Sequence, residues 1–318
     1  MNKQISYKDI SNKAGVSVST ISRYFNNGYV SRNTKMKIDE VIKVFQYYPG
    51  YNGRLLKTKD SSVFIVMPEW TQNLYFSIIN GIVYACKKSN RKVNITFTCK
   101  DTNDYIDTIK YILTSKPSSI IIFNPEYDEE LFAFLKNIED VTIVVYEHKV
   151  NGLNWIKIDE VEAFYKVTKS LINNLENSKN KLLFLEDAKL TLIQKNDRFL
   201  GFEQACKDSN VEFEKYEVSF NNSKNLNEFI EFSRKKAFSN IVCSTHESYI
   251  SLCVQGQQSL NLTDIGYQSF YDKIKKYKSK IFIDYPAIGI EIERIISAYN
   301  EEKKLQQKLI KTKIVVHE

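Results

Sequence analysis

From Ser62 onward the chain repeats one pattern: a short, nearly continuous apolar run, then a longer stretch with apolar residues at helical spacing. The pattern runs through residues 63–67 and 74–88, 93–98 and 105–113, 119–123 and 129–135, and then 142–146. Apolar runs this short read as strands buried on both faces, and such strands alternating with amphipathic helices form parallel sheets covered by helices. A second series begins near Asp159 with a helix over 161–175, then 182–185, 199–207, 213–218, 226–234, 241–244 and 249–260. Two similar α/β lobes in succession are therefore expected. A length of 318 residues leaves room for one further small unit.

Charge locates that unit. Residues 1–60 hold eleven Lys or Arg against four Asp or Glu, a balance of +7 that accounts for the formal charge of the whole chain. A small basic module on a neutral body is the footprint of a nucleic-acid-binding head. The five cysteines, Cys86, Cys99, Cys206, Cys243 and Cys253, form no C-x-x-C pair, so neither a disulfide framework nor a zinc site is expected. Met1-Asn2-Lys3-Gln4 leads into polar sequence, and no stretch approaches the apolar length of a membrane span. A soluble, cytoplasmic protein is the expectation.

Within the head, Ser6-Tyr7-Lys8-Asp9 has capping-box spacing, and Gly15 marks a helix end. Ser17 offers a second cap, before a segment in which Ile21 and Phe25 recur at helical spacing. Ser31 caps a third helix whose stripe of Ile38, Val41, Ile42 and Phe45 can cover the other two. The result is a helix-turn-helix with a supporting helix. A plain three-helix bundle kept soluble by its lysines is the alternative. In the DNA-binding reading, a second helix entering the major groove by its N-terminal end offers Val18, Ser19 and Arg23 to base edges.

Residues 7–26, from Tyr7-Lys8-Asp9-Ile10 through Ala14-Gly15-Val16-Ser17 to Arg23-Tyr24-Phe25-Asn26, closely resemble the signature of the lactose and galactose repressor family. Val30-Ser31-Arg32-Asn33-Thr34, Lys37-Ile38 and Tyr47-Tyr48-Pro49 extend the likeness. The resemblance implies a helix-turn-helix domain over 1–48, a hinge over 49–60, and a two-lobed core over 61–318 like that of periplasmic binding proteins. It places lobe 1 at about 61–158 and 285–305, and lobe 2 at about 159–284 and 306–318. It also implies that Ser17, Thr20, Ser22, Asn26, Ser31 and Thr34 position the phosphate backbone.

By the same resemblance Asn52, Gly53 and Leu56 lie in a hinge helix that folds on DNA, with Leu56 as a wedge in the minor groove. Gly50 and Gly53 stand where the family usually has Asn and Ala. Each glycine disfavours helix by roughly 1 kcal/mol relative to alanine, so order in this segment is expected to come from DNA. Docking of Leu55 and Leu56 on the body is the competing role.

No catalytic motif appears in the body: H-E-x-x-H, G-x-S-x-G, Walker and dinucleotide fingerprints are absent, and there are three histidines, His148, His246 and His317. Neither enzymatic activity nor a cofactor is expected. A ligand is better sought between the lobes at the carboxyl ends of strands. Arg198, in Arg198-Phe199-Leu200-Gly201-Phe202, matches the family's Arg-x-x-Gly-Phe motif, whose guanidinium grips effector oxygens. Read as the opening of a helix, Arg198 calls for an anion or hydroxyls; an ion pair with Asp159 or Glu186 is the bland alternative. Asn124 and Glu147 match polar contact positions in the first lobe, or cap the segments after them. Trp70, Asn73 and Phe76 match sugar-contact positions, with core packing as the competitor. His246 stands where many relatives have Asn or Asp, and Gln268 where sugar binders often have Asp. Residues 262–266 and Ile283-Asp284-Tyr285-Pro286 are loosely similar to trehalose repressors, so a neutral sugar and a sugar phosphate both fit.

The expectation is a homodimeric repressor of carbohydrate-utilisation genes on a near-palindromic double-stranded operator, controlled by a small effector in the cleft. Two heads are needed because one short helix makes too few base contacts to compete across a genome. The alternatives are a sugar-binding or sugar-metabolising protein with an incidental basic head, and a regulator that uses a protein corepressor.

Overall fold

The computed structural model describes residues 6–25, 28–45, 61–69, 73–175, 181–220, 223–254, 260–266 and 276–317. The head consists of α1 (Tyr7–Ala14), α2 (Val18–Phe25) and α3 (Arg32–Phe45). Ser6 and Asp9 close a reciprocal capping box at the start of α1, and Gly15 ends it in the left-handed region at φ 66°. Ser17 Oγ accepts from Thr20 N at 3.1 Å, the bond of a helix cap. Ile10, Ala14, Ile21, Phe25, Ile38 and Val41 form the core where the three helices meet, and Tyr7 stacks on Phe25. Tyr24 OH donates to the Asp39 carboxylate and ties α2 to α3. Burial, reinforced by Asp39, pushes the Tyr24 hydroxyl up to about 12.

The body opens with β1 (Ser62–Pro68), α4 (Asn73–Lys88), β2 (Lys92–Thr98), α5 (Thr102–Leu113), β3 (Ser119–Phe123), α6 (Glu129–Lys136), β4 (Thr142–Tyr146) and β5 (Asn154–Ile158). It continues with α7 (Glu160–Asn173), β6 (Leu182–Asp187), α8 (Leu192–Asp208), β7 (Phe213–Val218), α9 (Ser223–Lys235), β8 (Asn240–Cys243), α10 (His246–Val254), β9 (Asn261–Ile265) and β10 (Tyr277–Phe282). The final elements are α11 (Tyr285–Glu302), β11 (Gln307–Ile310) and β12 (Lys313–Val316).

Two sheets result, one in the order β11-β5-β4-β3-β1-β2 and the other β12-β10-β9-β8-β6-β7. The first is parallel throughout, and β12 runs antiparallel on β10 at the edge of the second. The central strands β3, β4, β6 and β8 are buried along their whole length, as strands covered by helices on both faces must be. α11 returns to the first lobe and packs on α4, where Gly81 and Gly289 let the backbones touch. A Cβ on Gly289 would lie 2.0 Å from Ile78 O, and one on Gly81 would lie 2.0 Å from Pro286 O. Only hydrogen fits at either position.

The last crossing between the lobes falls later than the family layout implies. Strand β11 pairs with β5 in the first sheet, with Gln307 opposite Trp155 and Ile310 opposite Ile158. Residues 307–310 therefore belong to lobe 1, and the chain re-enters lobe 2 only with β12, not at 306. Asn154 fixes this pairing, since its Oδ1 accepts from Gln306 N at 2.9 Å. No described helix is long and apolar enough to cross a membrane.

Candidate DNA-binding head and interlobe cleft

On α2, Ile21 and Phe25 take the buried face, Ser19 and Arg23 lie opposite it, half-buried Ser22 flanks it, and Val18 is exposed at the helix N-terminus, one turn before Ile21. Val18 is 46% exposed, and Arg23 is exposed further along the helix. Ser17 Oγ lies 2.8 Å from both Ser19 Oγ and Thr20 Oγ1, a hydroxyl cluster at the helix N-terminus where a phosphate is favoured. Ser31 and Thr34 form a similar pair, 2.8 Å apart, at the start of α3. Asn26 and the hinge residues Asn52, Gly53 and Leu56 lie outside the described residues, as do Trp70, Gln268 and the side chain of Asn73.

The cleft is built at the carboxyl ends of strands from both lobes. Buried Asn124 follows β3, Glu147 follows β4, and His246 follows β8 as the first residue of α10. His148 Nε2 donates to Asn124 O at 2.6 Å, and burial lowers the His148 imidazole to about 4, so it stays neutral. Glu147 adopts φ 79° and caps nothing. Its Oε2 accepts from Tyr75 OH at 3.1 Å, and its Oε1 from Gln194 Nε2 at 2.5 Å, a bond that spans the two lobes. A second bridge runs from Lys157 Nζ on β5 to Asp197 Oδ2 on α8, at 2.7 Å.

Gln194, Asp197 and Arg198 share one face of α8 at i, i+3 and i+4. This helix begins earlier than the sequence suggested, because Thr191 caps it seven residues ahead of Arg198, in a capping box with Gln194. Arg198 is therefore in the second turn, away from the positive end of the dipole. Its partner is neither Asp159 nor Glu186. Nε and Nη2 donate to Glu160 Oε1 at 3.0 and 2.5 Å, and Nη1 donates to Ser244 O at 2.6 Å. Asp159 instead caps α7, its Oδ1 accepting from Glu162 N, and Glu186 pairs with Lys215. Gly201 explains the glycine of the motif: a Cβ there would lie 2.2 Å from Val161 O, so it sets the distance at which α8 rests on α7.

Phe76 is exposed on the outer face of α4, while its neighbour Tyr75 turns inward to Glu147. His246 Nδ1 lies 2.8 Å from Asp264 Oδ1, and Lys280 Nζ approaches the other oxygen of Asp264 at 3.0 Å. Sequence reasoning missed Tyr75, Glu160, Gln194 and Tyr285. The Thr191-x-x-Gln194 spacing was the available signal for the second turn of α8, and nothing local marks Glu160 as the partner of Arg198.

Burial, then repulsion from Glu160, raises the Glu147 carboxyl to about 7, against the donors Gln194 and Tyr75 and the charge of Arg198. Because the folded value is raised, the protonated form is the favoured one in the native state. Its contribution to stability is complete below the ordinary carboxylate range and is lost as pH rises through about 7. Stability of the full chain is expected to be higher at pH 5.5 than at pH 8 from this group, and Glu147→Gln should flatten that slope. Urea titrations across the range check it; identical slopes would remove Glu147 as the source.

An exposed polar helix on a basic three-helix head, carried by two α/β lobes around a polar cleft, defines the architecture of a DNA-binding transcriptional regulator. Residues 6–50 match the family described as bacterial regulatory proteins, lacI family. The head is thus a DNA-binding domain of the lacI family. The chain is 23% identical to the HTH-type transcriptional regulator MalR of Streptococcus pneumoniae over 324 residues, 95% of each chain. It is 22% identical to the HTH-type transcriptional regulator RegA of Clostridium saccharobutylicum over 251 residues, 76% of this chain and 74% of that one. In structure it is similar to a LacI-family regulator from Silicibacter pomeroyi, with TM-score 0.77, 18% identity and 98% of each chain covered. It is also similar to the Lac repressor dimer bound to operator and an anti-inducer, with TM-score 0.75, 14% identity and 98% of each chain covered.

Proposed function

We propose that this protein is a cytoplasmic, homodimeric repressor of carbohydrate-utilisation genes, whose affinity for a near-palindromic operator is set by a small sugar-like effector in the interlobe cleft. The observation that carries this reading is the placement of Glu147 and Gln194: polar groups from both lobes meet at the strand ends, so a molecule bound there acts on both lobes at once. An effector alters DNA affinity only through its differential affinity for two lobe arrangements. Relatives that match over part of the chain include a sucrose operon repressor of Staphylococcus xylosus, and a structural neighbour was solved with cellobiose. Arg198, Glu147, Asn124 and His246 are the described residues assigned to the effector; Phe76, exposed on the outer face of α4, is not, and Trp70, Asn73 and Gln268 are assigned on the resemblance alone.

Dimerisation is assigned to the outer face of α4 and the edge strand β2, where Val83, Tyr84, Ile95 and Phe97 are exposed together. Selection of a binding site from random DNA, followed by titration with and without neutral sugars and sugar phosphates, tests the whole reading. Preference for a single palindrome, with affinity falling steeply in salt and shifting with one sugar class, is the expected result. Binding without sequence preference would return the protein to the class of sugar binders with an incidental head.

For the head, Arg23→Ala is expected to cost roughly 1–3 kcal/mol of specific binding if the guanidinium pairs with guanine. Competition between operator and random DNA measures this; an unchanged ratio would make Arg23 a phosphate contact at most.

A further inference from the structure

Among the described residues, the three buried cations of the body, Lys157, Arg198 and Lys280, are each matched by a carboxylate of the protein itself. Lys157 pairs with Asp197, Arg198 with Glu160, and Lys280 with Asp264. Glu147 is the surplus: its hydrogen bonds come from the neutral groups Tyr75 and Gln194. Around it Tyr146 and Tyr285 are both pushed upward, chiefly by burial, and both sense Glu147, Glu160 and Arg198. These five side chains thus form one electrostatic neighbourhood with two carboxylates against one guanidinium.

Arg198 is the group an anionic ligand would seek, and it is the most fully engaged cation of the three. Three of its N–H groups are taken, two by one oxygen of Glu160 and one by Ser244 O, and its guanidinium carbon sits 5.7 Å over the Phe164 ring. Both partners are buried, with Arg198 9% and Glu160 7% exposed. A phosphate arriving here meets a carboxylate already on its counter-ion, in surroundings where like charges repel strongly. A hydroxylated neutral ligand meets acceptors on Glu147 and Glu160 and the remaining donors of Arg198, with no charge to displace.

We propose that Glu160 is a specificity-determining residue that excludes anionic ligands from the cleft, so that the effector is a neutral polyhydroxylated molecule and its phosphate esters are rejected. This rests on the cleft being the effector site, and the charge screen itself is testable without knowing the effector. Inorganic phosphate is the probe. Thermal shift and calorimetric titration of the full chain are compared for the wild type, Glu160→Gln and the double variant Glu160→Gln/Arg198→Ala. The wild type is expected to give no phosphate-dependent shift. Glu160→Gln gains binding by about tenfold or more, as the freed guanidinium accepts a charge-assisted partner, and the double variant loses that gain.

Phosphate binding to the wild type as tight as to Glu160→Gln, or no gain in a folded Glu160→Gln, would overturn the assignment. Should that variant fail to fold, a panel of neutral sugars and their phosphate monoesters on the wild type decides: a shift for a neutral member over its ester supports the screen, and a shift for the ester refutes it. If no sugar moves the wild type while Glu160→Gln gains phosphate through Arg198, the charge screen stands and the carbohydrate reading of the cleft falls.

Discussion

Gly201→Ala is expected to destabilise the second lobe by about 3 kcal/mol or more, the upper range for overpacking, because the added methyl meets backbone and not a yielding side chain. The Cβ would sit 2.2 Å from Val161 O and 2.9 Å from Tyr165 N, so α7 and α8 have to part along their line of contact. Parting them also stretches the bonds between Glu160 at the start of α7 and Arg198 on α8, which fall within the same contact. Two losses should therefore appear together: a lower urea midpoint, and a weaker ligand response at temperatures where the variant is still folded. Urea unfolding followed by circular dichroism gives the first, and operator titration gives the second. A midpoint within a few tenths molar of the wild type would mean that the helices slide apart at little cost, and that the motif glycine has some other purpose.

Arg198→Ala has the second large expected effect, and its origin is electrostatic. Removing the guanidinium strands Glu160 in a buried site, and breaking a buried pair from one side costs about 3–5 kcal/mol, more than the pair contributes over an apolar substitute. The same change removes the contact assigned to the effector. At a temperature where the variant is folded, operator binding without ligand should be close to wild type while the response to ligand is lost. Arg198→Lys should recover only part of this, since a lysine has no planar fork to serve both Glu160 and Ser244 O. Loss of operator binding in parallel with loss of ligand response would assign Arg198 to the architecture of the lobe alone.

The head was legible residue by residue because its information is local. Ser6 with Asp9, Gly15, and Ser17 with Thr20 act within a few positions of themselves, and each feature read from spacing has its bond in the structure. The alternation of apolar runs gave the two sheets for a related reason, since burial on both faces is written into each strand. Strand order at the margins was not legible. Gln307–Ile310 and Lys313–Val316 are equally short and separated only by Lys311 and Thr312, yet they join different sheets. What divides them is a contact made across the fold, Asn154 Oδ1 with Gln306 N.

The cleft shows the same limit in its chemistry. Arg198 was found through a motif, but its partner depends on how two helices cross, and the Asp159-Glu160 pair divides its work between capping α7 and meeting Arg198. Glu147 was placed correctly at a strand end and its bond to Gln194 was not anticipated, because that bond exists only once the lobes face each other.

The return of α11 and β11 to the first lobe has a consequence for the order in which the protein can be assembled on the ribosome. The helix that fills the lobe 1 interface with α4 is made only after the whole of β6 to β10 has been synthesised. The first lobe begun is thus kept waiting for its last pieces, while the second, lacking only its antiparallel edge strand β12, already has its central sheet. Neither lobe is complete until α11, β11 and β12 have been made, and until then the apolar face of α4 lacks the helix that covers it.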